Sequence, residues 1–455
     1  MFTREFLDTI MKAYDVRGLV DQEITPDFSF ALGGAFARFL AEEREPATVV
    51  IGEDMRPSSP LLAQAFADGV TSQGFDAIRI GLASTDMAYF ASGTLNLPGA
   101  MFTASHNPAE YNGIKLCKSA ARPIGQDSGL RRIRDLIVEG FPVSSRSMGK
   151  VSERDMLGEY VEFLLSLFGA ELTSASRRLK VVIDAGNGMA GHTAPAVMSR
   201  LNVDIIPMYF ELDGSFPNHE ANPIDPANVV DLQKAVKKHK ADIGLAFDGD
   251  ADRCFLVDET GAIVNPSALT ALIAVRELKR KPGSSIIYNL ISSKAVAEVV
   301  TENGGKPIRS RVGHSFIKTL MAETNAVFGG EHSGHFYFAD FWRADSGMLA
   351  ALFALAELSG SDKSLSQLLL PYNRYVLSGE INTQVADTQE SLSFIRESFR
   401  QDYEIDELDG VTVSAAEWWF NVRPSNTEPL LRLNVEAINE ATMKKVRDKV
   451  LQLIR

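Results

Sequence analysis

Three aspartates at alternate positions stand in the run Asp248-Gly249-Asp250-Ala251-Asp252-Arg253, directly after the strand-like Ile243-Gly244-Leu245-Ala246-Phe247. Carboxylates so spaced in a glycine-containing loop can converge on one hard cation, and crowded together they repel unless something neutralises them. Aspartate oxygens suit Mg²⁺, which keeps few protein ligands and shares its shell with substrate phosphate. A Ca²⁺ loop of the EF-hand type competes, since Glu259 falls at its twelfth position. Its sixth position needs glycine for the sharp turn and is Arg253 here, and Cys254-Phe255-Leu256-Val257 reads as a strand where a helix is required. We therefore expect Mg²⁺.

A second stretch, Thr103-Ala104-Ser105-His106-Asn107-Pro108, follows the small, apolar Pro98-Gly99-Ala100-Met101-Phe102, which could end a buried strand. A hydroxyl on a short polar loop suits a nucleophile, although a turn or cap serine looks the same in isolation. Lys115 comes ten residues later, and a hairpin could return it to the same crevice. Further loops carry polar chemistry. Lys12-Ala13-Tyr14-Asp15-Val16-Arg17-Gly18 reads as a turn leaving the Arg17 guanidinium exposed. Arg311-Val312-Gly313-His314-Ser315 puts a histidine behind a glycine turn. In Gly329-Gly330-Glu331-His332-Ser333-Gly334-His335, Glu and Ser between glycines can bond vicinal hydroxyls. Arg423-Pro424-Ser425-Asn426-Thr427-Glu428-Pro429 sets a guanidinium beside hydroxyls, an amide and backbone N–H groups, a cradle for a phosphate that is held and not transferred.

The elements that must position these loops follow from the pattern. Thr48-Val49-Val50-Ile51-Gly52 is a short β-branched run, the polar loop Glu53 to Pro60 ends in helix-start signals, Leu61 to Ser72 reads as a helix, and Ala77 to Ile80 as the next strand. Strand, helix, strand with short loops implies a parallel α/β sheet, whose ligand crevice lies past the strand ends. Leu179 to Gly188 and residues 284 to 296 repeat the strand-loop-helix opening, so three related α/β domains are expected. Ser152 to Phe168 reads as an amphipathic helix with a Ser152/Asp155 capping box, behind a polar linker from Ser144 to Lys150. Alternation in Leu430 to Glu436 and the apolar spacing of Met443, Val446, Val450, Leu453 and Ile454 mark a small closing α+β domain.

The totals bound the class. With 455 residues, three or four domains are expected, and a formal charge of -13 disfavours nucleic-acid binding by bulk electrostatics. The two cysteines, Cys117 and Cys254, lie far apart in apolar runs, which fits small buried residues in a reducing compartment. No secretory signal pattern is read at Met1 to Glu5 and no apolar run is long enough for a membrane span, so a cytoplasmic protein is expected.

Together the loops resemble those of the α-D-phosphohexomutase superfamily, in order and over essentially the whole chain. Ser105 matches the family's phosphoserine, Asp248, Asp250 and Asp252 its metal loop, Glu331 and Ser333 its sugar loop, and Arg423, Ser425, Asn426 and Thr427 its phosphate loop. Within the family, Asn112 to Leu116, Ala121 to Ile124 and Phe216-Pro217-Asn218-His219 are most similar to bacterial phosphomannomutase/phosphoglucomutase sequences. Ala251 stands where glycine is also common, a departure with no expected effect on coordination.

The resemblance implies three related α/β domains with mixed sheets and a smaller C-terminal α+β domain around a central cleft: 1–150 with the phosphoserine loop, 151–256 with the metal loop, 257–370 with the sugar loop and 371–455 with the phosphate loop. It implies Mg²⁺ held by Ser105 and the three aspartates, and a hexose 1,6-bisphosphate that is both intermediate and activator. Phospho-Ser105 would donate to the free hydroxyl of a hexose phosphate, the bisphosphate would turn end for end, and the other phosphate would return to Ser105. Arg17 and Arg253 would stabilise the moving charge, with Lys115, His314 and His335 as proton-transfer candidates. Tyr14 and His106 join the expected substrate-binding groups. The expected partner is a phosphorylated hexose, most simply mannose, with glucose, dual specificity or glucosamine as alternatives, acted on by a monomer or homodimer. A haloacid-dehalogenase-type phosphatase would use Asp248 as nucleophile and leave the serine loop without a job. A non-catalytic sugar-phosphate sensor would be expected to have lost Ser105 or a metal carboxylate.

Overall fold

The computed structural model describes residues 2–140, 147–175, 177–424 and 430–454, with the side chains of His314 and Ser315 excepted. Its first sheet contains β1 (Val16–Leu19), β2 (Thr48–Glu53), β3 (Asp76–Leu82), β4 (Gly99–Phe102), β5 (Tyr111–Lys118), the short β6 (Arg122–Pro123) and β7 (Val151–Glu153). The order is β1-β5-β4-β2-β3-β7, with β6 on β5. β2 runs parallel to β3 and β4, whereas β5 is antiparallel to β4 and β1, so the sheet is mixed. The unbroken apolar run of β2 is explained by burial on both faces. On one side pack helices Pro26–Glu42 and Ser59–Ser72, whose backbones approach so closely that a Cβ on Gly33 would stand 2.2 Å from the Phe66 carbonyl oxygen. Phe28, Phe36, Phe66 and Phe102 fill the core beneath them.

Two local expectations change. Arg17-Gly18 is not a turn: it is part of β1, paired with Gly113 and Asn112 of β5. The Glu23 side chain occupies the place a Gly18 Cβ would take, 2.8 Å away, which is why glycine stands in a strand here. Ser152 is also not a helix cap. It lies in β7, which extends the first sheet along β3, and the helix runs over Leu157–Ser166 with Asp155 accepting the Leu157 N–H at 2.9 Å.

The second sheet contains β8 (Leu179–Asp184), β9 (Val203–Met208), β10 (Ile243–Phe247) and β11 (Cys254–Asp258), ordered β11-β10-β8-β9. Only the β10–β11 pair is antiparallel, and its connection is the aspartate loop. In the third α/β segment, β12 (Ser285–Asn289) runs parallel to both β13 (Lys306–Ser310) and β14 (Phe328–Gly330). β15 (Phe336–Phe338) and β16 (Ala344–Asp345) pair antiparallel ahead of the buried helix Gly347–Ser359. The C-terminal sheet is wholly antiparallel: β17 (Val376–Gln384), β21 (Leu430–Ala437), β20 (Trp418–Pro424), β19 (Val411–Ser414) and β18 (Glu404–Asp406), in that spatial order. Helices Thr388–Phe399 and Glu440–Ile454 cover it, the latter burying Met443, Val446, Val450 and Ile454 as its spacing predicts, while Leu453, expected on the same face, is half-buried.

The chain forms two compact units, Met1–Val264 with Ser333–Gln367, and Asn265–His332 with Leu368–Arg455. The fold class expected from the sequence, α/β segments with mixed sheets and a smaller C-terminal antiparallel-sheet domain, is the one observed. Among the described residues no helix is long and apolar enough to cross a membrane. Cys117 and Cys254 are both buried and neither forms a disulfide.

Candidate active site

Past the end of β4 the chain turns sharply, and Ser105 adopts a left-handed backbone conformation with φ 51°. A non-glycine residue there costs about 1–3 kcal/mol and persists only where its surroundings over-determine it. Here the Ser105 N–H donates to Thr103 Oγ1 at 2.9 Å and the Asn107 N–H to the Ala104 carbonyl at 3.0 Å. The result is a buried hydroxyl whose Oγ donates to Asp248 Oδ2 at 2.8 Å, across 143 positions of sequence. Contact is close enough that a Cβ on Gly249 would lie 2.3 Å from the Ser105 carbonyl oxygen. Glycine at 249 is therefore a condition for seating the aspartate loop on the serine loop.

Asp248, Asp250 and Asp252 are all buried, with one carboxylate oxygen of each lying within 4.8 Å of the others. β5 returns Lys115 to this point, because its antiparallel register sets Lys115 opposite Met101 of β4. Lys115 Nζ donates to Asp250 Oδ2 at 2.7 Å and Asp252 Oδ2 at 2.6 Å. Thr85 Oγ1 donates to Asp250 Oδ2 at 2.5 Å, and the Arg253 N–H to Asp248 Oδ1 at 3.2 Å. Burial and the adjacent Asp252 and Asp250 push the Asp248 carboxyl well above the usual range. For Asp252 burial is outweighed by Lys115, His335 and Arg253, and its carboxyl is held well below that range. Burial opposes the Lys115 charge as well, but Asp250 and Asp252 prevail and raise its pKa well above 10.5.

Lys115 and Arg253 are the basic groups facing the three buried carboxylates, two cationic charges against three acidic groups, and Asp250 Oδ1 is buried without a hydrogen-bond partner. An orphaned oxygen in a triad of hard donors fits a divalent cation. A second cluster, Asp252, His335 and Asp345, adjoins the first and shares Asp252.

Around this centre the first unit gathers most of the residues singled out from the sequence. Arg17 donates to Asn107 Oδ1 at 2.5 Å and Asp15 Oδ2 at 2.6 Å, so it is tied to the serine loop and partly buried, not a free surface guanidinium. His106 Nδ1 lies 3.3 Å from Ser105 Oγ. Burial, then the charges of Arg253 and Arg17, hold its pKa well below 6.5, so the imidazole is neutral. Arg253 Nε contacts His335 Nε2 at 3.2 Å and lies 3.5 Å from Asp248 Oδ2. His335 Nε2 also lies 3.4 Å from Asp252 Oδ1 and 3.9 Å from Asp345 Oδ2, while its Nδ1 meets Ser333 Oγ at 3.1 Å. Tyr14 is half-buried in the bend before β1.

The second unit holds the remaining candidates. Glu331 is buried just past β14. Arg423, on β20, is buried and donates to Glu380 Oε2 of β17 at 2.8 Å; Arg432 of β21, its direct cross-strand partner, reaches Glu380 Oε1 at 3.3 Å. Burial draws the Arg423 pKa below its ordinary value, against the pull of Glu380. His314 opens the helix His314–Thr324 behind Gly313. Ser425, Asn426 and Thr427 lie outside the described residues.

Several contributors went unseen in the sequence. Arg56, Thr85, Asn107, Asp345 and Glu380 contact site residues; Arg56 and Asn107 stood in loops read for other reasons, and no local motif singled out Thr85, Asp345 or Glu380. For Arg56 and Thr85 a signal existed, since both follow the C-terminal ends of parallel strands, where ligand crevices form.

Comparison with known proteins gives this arrangement its family. The chain matches, consecutively, the phosphoglucomutase/phosphomannomutase alpha/beta/alpha domain I over residues 8–140, domain II over 158–261, domain III over 265–375 and the C-terminal domain over 380–453. It is 38% identical over 453 residues to a phosphomannomutase of Escherichia coli (strain K12), covering 97% of this chain and 98% of that protein. It is 36% identical over 449 residues to a phosphomannomutase of Methanocaldococcus jannaschii, covering 98% and 97%. The crystal structure of a phosphoglucomutase/phosphomannomutase family protein from Burkholderia thailandensis superposes with a TM-score of 0.90 at 30% identity, covering 100% of this chain and 97% of that one. With its serine loop seated on a buried aspartate triad, the chain belongs to the phosphoglucomutase/phosphomannomutase family of hexose phosphate mutases.

Proposed function

We propose that this hexose phosphate mutase interconverts mannose 6-phosphate and mannose 1-phosphate through a phosphorylated Ser105 and a hexose 1,6-bisphosphate that also serves as activator. The observation that carries the reading is the hydrogen bond from the buried Ser105 hydroxyl to Asp248, beside three carboxylates that can hold a cation. The mannose preference is supported by relatives named phosphomannomutase, and a dual mannose/glucose specificity by the family's own description.

Phosphoryl transfer is mostly positioning and charge neutralisation. In the forward half-reaction the Ser105 Oγ–P bond breaks as the sugar hydroxyl oxygen bonds phosphorus, and the hydroxyl proton leaves to a base. Lys115, His335 and His314 are the proposed proton carriers, Lys115 as an ammonium that can give a proton and not as the accepting base. Ser105, Asp248, Asp250 and Asp252 would hold Mg²⁺, which supplies charge neutralisation at the phosphoryl oxygens. Arg17 and Arg253 add positive charge beside Ser105, and the neutral His106 can bond a phosphoryl oxygen or hydroxyl without changing the charge balance. We assign sugar hydroxyls to Glu331 and Ser333, further substrate contact to Tyr14, and the resident phosphate to Arg423, Ser425, Asn426 and Thr427. A reducing, cytoplasmic setting belongs to the same reading, supported by two buried cysteines that form no disulfide.

Mass spectrometry after incubation with hexose 1,6-bisphosphate should find phosphate on Ser105, stable to hydroxylamine. A hydroxylamine-labile acyl phosphate on Asp248 would overturn the assignment in favour of aspartyl chemistry. Ser105→Ala should lower turnover by about 10³-fold or more. Parallel kinetics with mannose, glucose and glucosamine 1-phosphates should rank mannose first.

A further inference from the structure

We propose that Arg56 is a positioning residue for this reaction: it holds the backbone of the serine loop in the one conformation that points Ser105 Oγ at Asp248. The inference rests on the reading of Ser105 as the phosphoryl carrier, and adds a residue that touches neither substrate nor metal ligand side chain.

Arg56 lies in the loop after β2 and is among the most completely buried large side chains of the protein. Its Nη1 donates to the carbonyls of Pro108 at 2.8 Å and Tyr111 at 2.9 Å; its Nη2 donates to those of Ser105 at 3.1 Å and Asn107 at 2.7 Å. Its Nε faces Asp54 Oδ2 at 3.3 Å. A guanidinium has five N–H donors in a rigid fork, and here four are spent on main-chain oxygens while the fifth is turned to a buried carboxylate. No accessible donor is left to bind a phosphate. An arginine beside a phosphoryl site would ordinarily be taken for an anion ligand; this one is excluded from that role because both Nη groups are committed to carbonyls and the remaining Nε is buried against Asp54.

What the fork does instead follows from backbone geometry. Anchoring a carbonyl oxygen fixes ψ of its own residue, and anchoring those of Ser105 and Asn107 together fixes the turn between them. Ser105 is in the left-handed region, with φ 51°, a conformation its local chain does not favour and the surroundings must impose. With φ and ψ both held, the direction of the Ser105 Cα–Cβ bond is set, and Oγ reaches Asp248 at 2.8 Å. The anchor is itself anchored. Asp54 accepts the Arg56 N–H at 3.0 Å and the Ser59 hydroxyl at 2.6 Å, and the Phe216 ring lies 5.1 Å from the guanidinium carbon, a cation–π contact. Lysine cannot substitute, because a point ammonium with three donors does not span four carbonyls.

The test is Arg56→Lys, which keeps the charge and the Asp54 pairing but loses the fork. Misplacement by about 1 Å costs about 10²-fold in rate, so kcat should fall by about that factor while KM for the hexose phosphate stays within about threefold. Phosphorylation of Ser105 by hexose 1,6-bisphosphate should slow in proportion to kcat, with its final stoichiometry preserved, while the Tm falls because buried carbonyls lose their donors. A merely structural role predicts a different signature: reduced stoichiometry of loadable Ser105 and unchanged kcat per loadable site. That outcome, or wild-type kcat in a folded R56K, overturns the proposal. If R56K does not fold, Phe216→Leu takes its place: kcat lowered at constant KM supports the proposal, and unchanged kcat overturns it. Ser105→Ala separates the two levels. An active S105A would sink the phosphoserine reading itself, whereas an inactive S105A beside a fully active R56K would sink only the positioning role.

Discussion

Lys115 Nζ stands 2.7 Å from Asp250 Oδ2 and 2.6 Å from Asp252 Oδ2, so one β5 ammonium bridges two of the three clustered carboxylates and offsets part of their charge. Removing one partner of a buried ion pair costs about 3–5 kcal/mol because the other charge is stranded. Lys115→Met should therefore destabilise the metal-free protein strongly. A divalent cation offers the aspartates a substitute partner. Millimolar Mg²⁺ should consequently raise the Tm of K115M by more than it raises that of the unaltered protein. Thermal unfolding of both proteins in EDTA and in Mg²⁺ measures this, and equal metal-induced shifts would show that Lys115 and the cation do not share the same carboxylates.

Glu380 bridges Arg423 and Arg432, two like charges set directly opposite each other across β20 and β21. Such pairs repel unless a counter-charge lies between them. A hydrogen bond to a charged group is worth about 1.5–3 kcal/mol, which translates to about 10- to 100-fold in binding. Arg423→Ala should raise KM for the hexose phosphate by that factor with a smaller change in kcat. An unchanged KM in steady-state kinetics would count against the phosphate cradle.

The parts of this site that were readable from sequence are those in which chemistry and local pattern coincide. The aspartates follow a short apolar strand and repeat at every second position, and Lys115 stands at hairpin distance from Ser105, so their meeting is foreseeable. Arg56 was not, because its partners are main-chain carbonyls, which every residue has and no composition marks. Asp345 could not be paired with His335 before the β15–β16 hairpin was known. Gly18 misled because glycine after arginine is a turn signal, and only the Glu23 side chain filling its Cβ position explains it as a strand residue. Ser152 misled through a local capping pattern, where pairing of β7 with β3 won.

Asp86, at the start of helix Thr85–Leu95, is fully buried and accepts hydrogen bonds from Ser84, Tyr160 at 2.7 Å and Ser346 at 2.6 Å. Burial dominates these bonds and raises its pKa from 3.8 to about 6. Because the folded state holds this proton more tightly than the unfolded chain, the stabilisation is fully present below pH 3.8 and is lost as pH rises through about 6. A rise of that size corresponds to about 3 kcal/mol. Asp86→Asn should remove that slope. The difference in urea midpoint between D86N and the unaltered protein should move in favour of D86N from about pH 4.5 to about pH 7.5, and a pH-independent difference would refute the assignment.

Gly249 gives the sharpest steric test, because its backbone φ is not positive and alanine is conformationally acceptable there. The obstacle is the Ser105 carbonyl oxygen, 2.3 Å from where the Cβ would lie. Real Cβ atoms do not approach that closely, so either the aspartate loop or the serine loop must withdraw. Overpacking of this kind costs about 1–3 kcal/mol, which a protein of this size can survive. The catalytic loss should be larger than the stability loss suggests, since the atom displaced belongs to the residue whose Oγ must meet Asp248. G249A should therefore fold, lose about 10²-fold in kcat, and bind hexose phosphate nearly as before. Gly158→Ala is the control: it lies in helix Leu157–Ser166 with nothing near its Cβ, and should leave activity unchanged with stability equal or slightly raised. A G249A protein with full kcat would mean that the serine and aspartate loops can separate without consequence, and the contact between them would lose its claim to govern phosphoryl transfer.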